Sequence, residues 1–353
     1  LQDLPIQLAT SLVEICSSLN GGKALPVLDP VLPQHSSDPI TDLVEVYGQY
    51  RAKRALEIAA AGGHHMLMMG PPGTGKSMLA QRLNSILPPM NEDEAMSSAS
   101  IRSVCQLPVN PGNWLQRPFQ SPHHTVSGIA LVGGGRNPKP GEISLAHNGV
   151  LFLDEFAEFN RAAIEVLREP LETGHIHISR ASGKAVFPAQ FQLIAAMNPC
   201  PGGCDSINSC DCSPQQLSRY RNKLSAPLLD RIDIQIELGR LEQQQLIIEK
   251  QKATQTSSEV RQRVCSARKL QLTRQGCVNA RLGHKDLDEI CGLNRKLQQT
   301  LINRIEQLRL STRSYHKLLK LARTIADLAA AEAGNETHLA ESVSEGRRAT
   351  RAA

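Results

Sequence analysis

At 353 residues the chain is long for a single domain and suggests two, or one with a large appendage. Hydrophobic residues make up 41%, enough for a sizeable core, yet no apolar run is long enough to span a membrane and no signal-peptide pattern is present. A net charge of +5 permits a nucleic-acid partner without requiring one, and only 3% aromatics argue against base stacking on exposed rings. Nine cysteines in a chain that reads as cytoplasmic favour a metal cluster over a disulfide framework.

Residues 6–19 place Leu8, Leu12, Ile15 and Leu19 at helical spacing before Asn20-Gly21-Gly22 ends the run. Residues 23–40 are rich in Pro and Ser and read as a linker. Residues 1–40 are therefore expected to be the trailing edge of a further domain, and Leu1 in place of Met fits a fragment or processed chain. A helix is expected over 51–61, with Ala55, Ile58 and Ala59 on one side.

Gly70-Pro71-Pro72-Gly73-Thr74-Gly75-Lys76-Ser77 then follows G-x-x-x-x-G-K-[ST], a phosphate-binding loop. The apolar run 65–69 ahead of it reads as a buried strand, and residues 78–87 behind it as a helix stopped by Pro88-Pro89. Such a loop lets backbone N–H groups and the positive helix end converge on phosphate oxygens. Lys76 would reach the β- and γ-phosphates of ATP, and Ser77 would hold Mg²⁺.

Residues 88–145 are rich in Pro, Gly and His and are expected to form one long functional loop. Within it His123 and His124 are either ligands or phosphate contacts, or simply bond within the loop. Residues 149–155 run from apolar to Asp154 and Glu155, a buried parallel strand ending in carboxylates where an open α/β sheet places its ligand. Asp154 would hold Mg²⁺ and Glu155 would orient or deprotonate the attacking water. A helix is expected over 160–171, a β-hairpin over 175–188 with Arg180 and Lys184 at its tip, and a further buried strand over 192–198 ending in Asn198.

Cys200, Cys204, Cys210 and Cys212 place four thiols within thirteen residues. The spacing is not a standard finger but suffices for a tetrahedral zinc site, the bland alternative being four reduced thiols. A last strand is expected near Ile232–Glu237. From 239 the chain reads as a helical lid, with segments at 241–275, 282–291, 297–308 and 311–331, and residues 336–353 as a tail of doubtful nativeness.

These motifs resemble those of the AAA+ ATPases of the magnesium-chelatase-like group, and within it the branch of bacterial competence proteins. The resemblance rests on Ala55–Ser77, Arg117–Glu155, the cysteine cluster and Arg323–Leu328, and covers roughly residues 40–340. It implies a P-loop αβα sandwich with a parallel sheet over 41–238, a helical lid over 239–335, and a preceding Lon-protease-like domain whose trailing helix is 6–19. It implies that Asn198 is a sensor of the γ-phosphate, Arg231 an arginine finger and Arg313 a second sensor arginine in the lid. It implies a hexameric ring acting on single-stranded or branched DNA, a helicase for branch migration in natural transformation. The alternatives are a chelatase-type motor that remodels a protein partner, or a nucleotide-dependent platform without turnover. Against the last stands an intact Glu155.

Overall fold

A computed structural model describes residues 6–27, 41–180, 183–204, 210–240, 247–249, 255–283, 287–292, 295–307 and 312–346. Its centre is a five-stranded parallel sheet of β1 (Met66–Met69), β2 (Phe119–Gln120), β5 (Val150–Leu153), β8 (Gln192–Met197) and β9 (Ile234–Glu237), in the order β2-β5-β8-β1-β9. A second, small pairing joins β3 (Gly133–Gly134) to β4 (Lys139–Pro140).

The strands β1, β5 and β8 are buried along their whole length, which is why they read as continuous apolar runs rather than alternating ones. Successive residues still face opposite sides. Met66, Met68, Phe152, Ile194 and Ile236 pack under the helices Tyr50–Gly62 and Lys76–Ile86 and the carboxyl-terminal helices. Leu67, Leu151, Leu153, Leu193 and Ala195 pack instead against Leu131, Phe156, Phe159 and Ile164. The result is the three-layer α/β arrangement expected from the motifs.

The helical region comprises Ser257–Gln275, Leu287–Cys291, Arg295–Gln307, Thr312–Leu328 and Glu336–Gly346. A buried polar network ties it to the sheet. Asp327 accepts from Arg274 (2.7 Å), from Arg323 (2.8 Å) and from Asn279 Nδ2 (2.8 Å). Thr324 Oγ1 accepts from Asn279 (3.0 Å) and lies 2.8 Å from His64 Nε2, whose other ring nitrogen is 3.2 Å from Asp233 Oδ2. Burial works against the Asp233 carboxylate, but the hydrogen bond to His64 and the charge of Lys317 outweigh it and hold its pKa well below the usual range.

The hairpin forms as expected from β6 (His175–Arg180) and β7 (Gly183–Pro188), with Ile176 and Ile178 buried on one face. Other expectations need correction. Residues 88–145 are not a loop. They contain the helix Glu92–Val104, opened by a capping box between Asn91 and Glu94, and shorter helices at Gly128–Val132 and Glu142–Leu145. The amino-terminal helix is only Leu12–Leu19 and buries none of its residues, so nothing rewards extending it back to residue 6. The segment 160–171 breaks into Arg161–Glu165 and Arg168–Thr173. The supposed tail begins with the packed helix Glu336–Gly346, whose Leu339 and Ser342 are buried. Residues 28–40, 205–209, 241–246 and 250–254 lie outside the described residues. Among the described residues no helix is long and apolar enough to cross a membrane.

Two imidazoles make the fold sensitive to acid. Leu193 N donates to His65 Nδ1 and Gln190 N donates to His147 Nδ1, both at 3.0 Å. Burial pushes each ring down to about 4. Unfolded imidazoles titrate near ~6.5. Between these values the unfolded chain binds protons that the folded rings refuse, so stability falls as pH drops from about 6.5 toward 4. Each ring contributes a slope of up to ~1.4 kcal/mol per pH unit. Urea unfolding at pH 7 and pH 5 should show this loss, and His147→Gln should remove about one proton's share of it. Equal slopes in the two proteins would remove His147 from the account.

Candidate nucleotide site

The carboxyl ends of β1, β5 and β8 lie side by side and carry the polar residues singled out above. Leaving β1, Gly70 N donates to Met197 O (3.1 Å), which ties the loop to β8. A Cβ on Gly70 would stand 2.5 Å from Leu238 O, so only glycine fits this close backbone approach. Gly75, at φ 87°, turns the chain into the helix Lys76–Ile86, whose first N–H groups face the loop.

Lys76 Nζ donates to the carbonyls of Gly70 (2.6 Å) and Pro71 (2.8 Å) and to Asn198 Oδ1 (3.2 Å). Burial lowers its pKa, while the Asp154 charge acts in the opposite sense. Ser77 Oγ donates to Asp154 Oδ2 at 2.5 Å, and Glu155 N donates to Asp154 Oδ1 at 2.9 Å. A hydroxyl and a carboxylate in direct contact are hard oxygen donors of the kind Mg²⁺ takes, so Ser77 and Asp154 fit the ion. Glu155 sits in the left-handed region at φ 51°, an uncommon conformation for a non-glycine residue and one that clusters at functional sites.

The structure thus brings Lys76, Ser77, Asp154, Glu155 and Asn198 together. It also shows where the histidine pair lies. His124 Nδ1 lies 2.8 Å from Glu155 Oε2, and its ring stacks 4.1 Å from that of His123. Gln49 was missed in the sequence. Its Nε2 donates to Gly239 O (2.8 Å) and reaches Thr74 O (3.5 Å), bracing the loop from the strand β9 side. Tyr220, also missed, donates to Asn198 O at 3.1 Å, and burial pushes its phenol well above the usual range.

Arg231 and Arg313 are not in this group. Asp233 N and Ile234 N donate to His65 O, so Arg231 sits at the amino end of β9, across the sheet from the phosphate loop. Its guanidinium pairs with Glu172, and Arg313 pairs with the other oxygen of Glu172 at 3.5 Å. The two line a cleft of about 440 Å³ with Arg268, Lys317 and Lys320. Lys184 is exposed on the hairpin, opposite Ser179. The sulfurs of Cys200, Cys204, Cys210 and Cys212 all lie within 4.8 Å of one another.

A glycine loop between strand and helix, an Asp-Glu pair after the strand two places along the sheet, a polar Asn after the strand between them, and a helical region behind the sheet define an AAA+ nucleotide-binding core with its lid. Residues 42–246 match the family of magnesium chelatase subunit ChlI, and residues 254–345 match its C-terminal family. The chain is 48% identical to competence protein ComM of Haemophilus influenzae over 339 residues, 95% of this chain. It is 46% identical to YifB of Salmonella typhimurium over 339 residues, 96% of this chain. In each case the match spans 66% of the relative's own length. Magnesium-chelatase subunit ChlI of Nicotiana tabacum is 28% identical over 215 residues, 54% of this chain and 48% of that protein. The chain belongs to the magnesium-chelatase-like family of AAA+ ATPases. The family match to residue 345 agrees with the packed helix Glu336–Gly346 in the stretch 336–353 that was expected to be a tail.

If Glu155 positions the attacking water, Glu155→Gln should bind ATP normally and turn over ~10²–10⁴-fold more slowly, the range for a general base. Steady-state hydrolysis beside nucleotide affinity reads both quantities. Near-normal hydrolysis would exclude the role.

Proposed function

We propose that the protein is an ATP-hydrolysing ring motor acting on DNA, a helicase promoting branch migration in recombination or natural transformation. The observation that carries this reading is the convergence of Lys76, Ser77, Asp154, Glu155 and Asn198 at one sheet edge, in a chain 48% identical to a competence protein. ATP and Mg²⁺ are its cofactors, with Mg²⁺ held by Ser77 and Asp154. The ion would neutralise charge between the β- and γ-phosphates.

Arg231 and Arg313 act on a neighbouring subunit's nucleotide in this proposal. Their place across the sheet from the subunit's own phosphate loop supports it, as does the cationic cleft around them. Hexameric closure is part of the same reading. The hairpin of β6 and β7 is the track-gripping element, because it leaves the chain between β5, which carries Asp154 and Glu155, and β8, which carries Asn198. A displacement felt at the γ-phosphate reaches it through both strands. Cations at Arg180 and Lys184 suit phosphate contacts that are independent of sequence.

A chelatase-type motor that remodels a protein partner is the second reading, favoured by the match to tobacco ChlI. ATPase rates with and without single-stranded and forked DNA separate the two. Stimulation supports the DNA motor, and DNA-indifferent turnover supports the second reading. Replacing both Arg180 and Lys184 with Ala should weaken DNA binding, flatten its salt dependence and abolish stimulation while basal turnover survives. An unaltered salt slope would discard the hairpin as the DNA contact.

The shared site is tested by mixing. Arg231→Ala subunits and Lys76→Ala subunits should each be nearly inactive, since an arginine finger contributes ~10³–10⁵-fold. Together they should regain activity, each supplying what the other lacks. A mixture no faster than its components would show that the arginine works within its own subunit or not at all.

A further inference from the structure

The loop that leaves β8 after Asn198 carries four cysteines that the nucleotide chemistry does not use. It starts beside one catalytic group and ends at a firm anchor. Asn198 Oδ1 accepts from Lys76, and Cys200 follows two residues later, almost wholly buried. Cys212 is followed by Ser213, which opens the helix Pro214–Arg221 with a capping box to Gln216. From that helix Tyr220 reaches back to the carbonyl of Asn198. Cys200 and Cys212 are therefore each tied to residues at the polar edge of the sheet.

The four sulfurs form a single compact group, each within 4.8 Å of the others. A tetrahedral ion with Zn–S bonds of ~2.3 Å requires S–S separations of about 3.8 Å, so a small contraction completes the site. An iron–sulfur cluster, with several metal atoms inside the same four thiolates, would require a wider group. Cys204 N already donates to Cys200 Sγ at 3.2 Å, which holds the first two sulfurs of the group on one turn. Gly202 leaves the room: a Cβ there would stand 3.0 Å from Cys212 Sγ and 3.5 Å from Cys204 Sγ. Gly203, at φ 65°, brings the turn against the phosphate loop, where a Cβ would meet Pro72 Cδ at 3.2 Å.

We propose that Cys200, Cys204, Cys210 and Cys212 bind one zinc ion as a closed tetrathiolate, and that this knuckle positions Pro72 and Asn198 in the nucleotide site. With four sulfur ligands the ion has no open position for water, so its part is structural. Without it no bond ties the four sulfurs to one another. The two contacts to the pocket then lose their support. The second half of the proposal rests on ATP binding at the phosphate loop. The first half does not.

The full chain purified without chelator should contain about one zinc per protein by elemental analysis, with an X-ray absorption spectrum fitted by four sulfurs near ~2.3 Å. Gly202→Ala should lose zinc to a competing chelator at least about tenfold more readily, the lower range for a neighbour that shapes a metal site. A folded, zinc-free protein, bound iron in its place, or loss of free thiols to two disulfides would each overturn the site. Reversible release with an organomercurial reagent, then reduction and zinc addition, tests the coupling without relying on a variant that might not fold. Affinity for a fluorescent ATP analogue should fall about tenfold on release, return with ZnCl₂ and not return with MgCl₂. Unchanged affinity in the zinc-free protein would leave a bound metal but refute its positioning role. If the zinc-loaded protein binds no ATP analogue at all, the nucleotide reading fails, and the zinc count still stands or falls by itself.

Discussion

The Lys76 ammonium is held by two loop carbonyls and by Asn198 Oδ1, and its partial burial governs how the rest of the core is arranged. A charge taken out of water needs dipoles or counter-charges fixed close to it. Three strands supply them from the same edge: β1 through its glycine loop, β5 through Asp154, and β8 through Asn198. Parallel strands are the economical way to do this, since their carboxyl ends all arrive on one side. Helices must then cover both faces, which is why four- to six-residue strands here contain almost nothing polar.

The lid is fastened to that core by polar rather than purely apolar contact. Asp327 is nearly inaccessible and receives two guanidinium groups and an amide, so its desolvation is offset by several charge-assisted bonds. The same chain of groups runs through Thr324 and His64 to Asp233 at the foot of β9. Removing a single member leaves the others buried and unpaired, a heavier loss than that of one isolated bond. Such a joint has few alternative geometries, so lid and sheet are held in one relation along this seam.

What the sequence disclosed depended on how local each cause is. The loop from Gly70 to Ser77 and the apolar strands ending in Asp154, Glu155 and Asn198 are fixed by neighbours in the chain, and all of them appear where expected. The helix Glu92–Val104 was equally local, announced by Asn91 and Glu94 three residues apart, but Pro and Gly on either side masked it. Glu172 was beyond reach, because nothing near it in sequence says that Arg231 and Arg313 will close on the same carboxylate. His124 was half visible: the dipeptide stood out, yet its partner Glu155 lies thirty-one residues on and meets it only through the placement of β2 beside β5. The first forty residues show the opposite limit. A helical period was present over 6–19, but among the described residues there only Leu12–Leu19 is helical, and it buries none of its side chains.

The separation of the phosphate loop from the Arg231–Arg313 cluster gives each molecule two unlike ends. If one end serves the other on the next copy, as proposed, the contact is head-to-tail. A pair of such molecules always has one complete site and two unused surfaces, so assembly has no natural stopping point at two. It continues until the accumulated rotation closes on itself, or it grows as a helix. The small angle between successive copies, not the strength of any one contact, then decides which of these outcomes prevails. Side chains far from the nucleotide that tilt the sheet relative to its neighbour can therefore change the number of subunits without touching the chemistry.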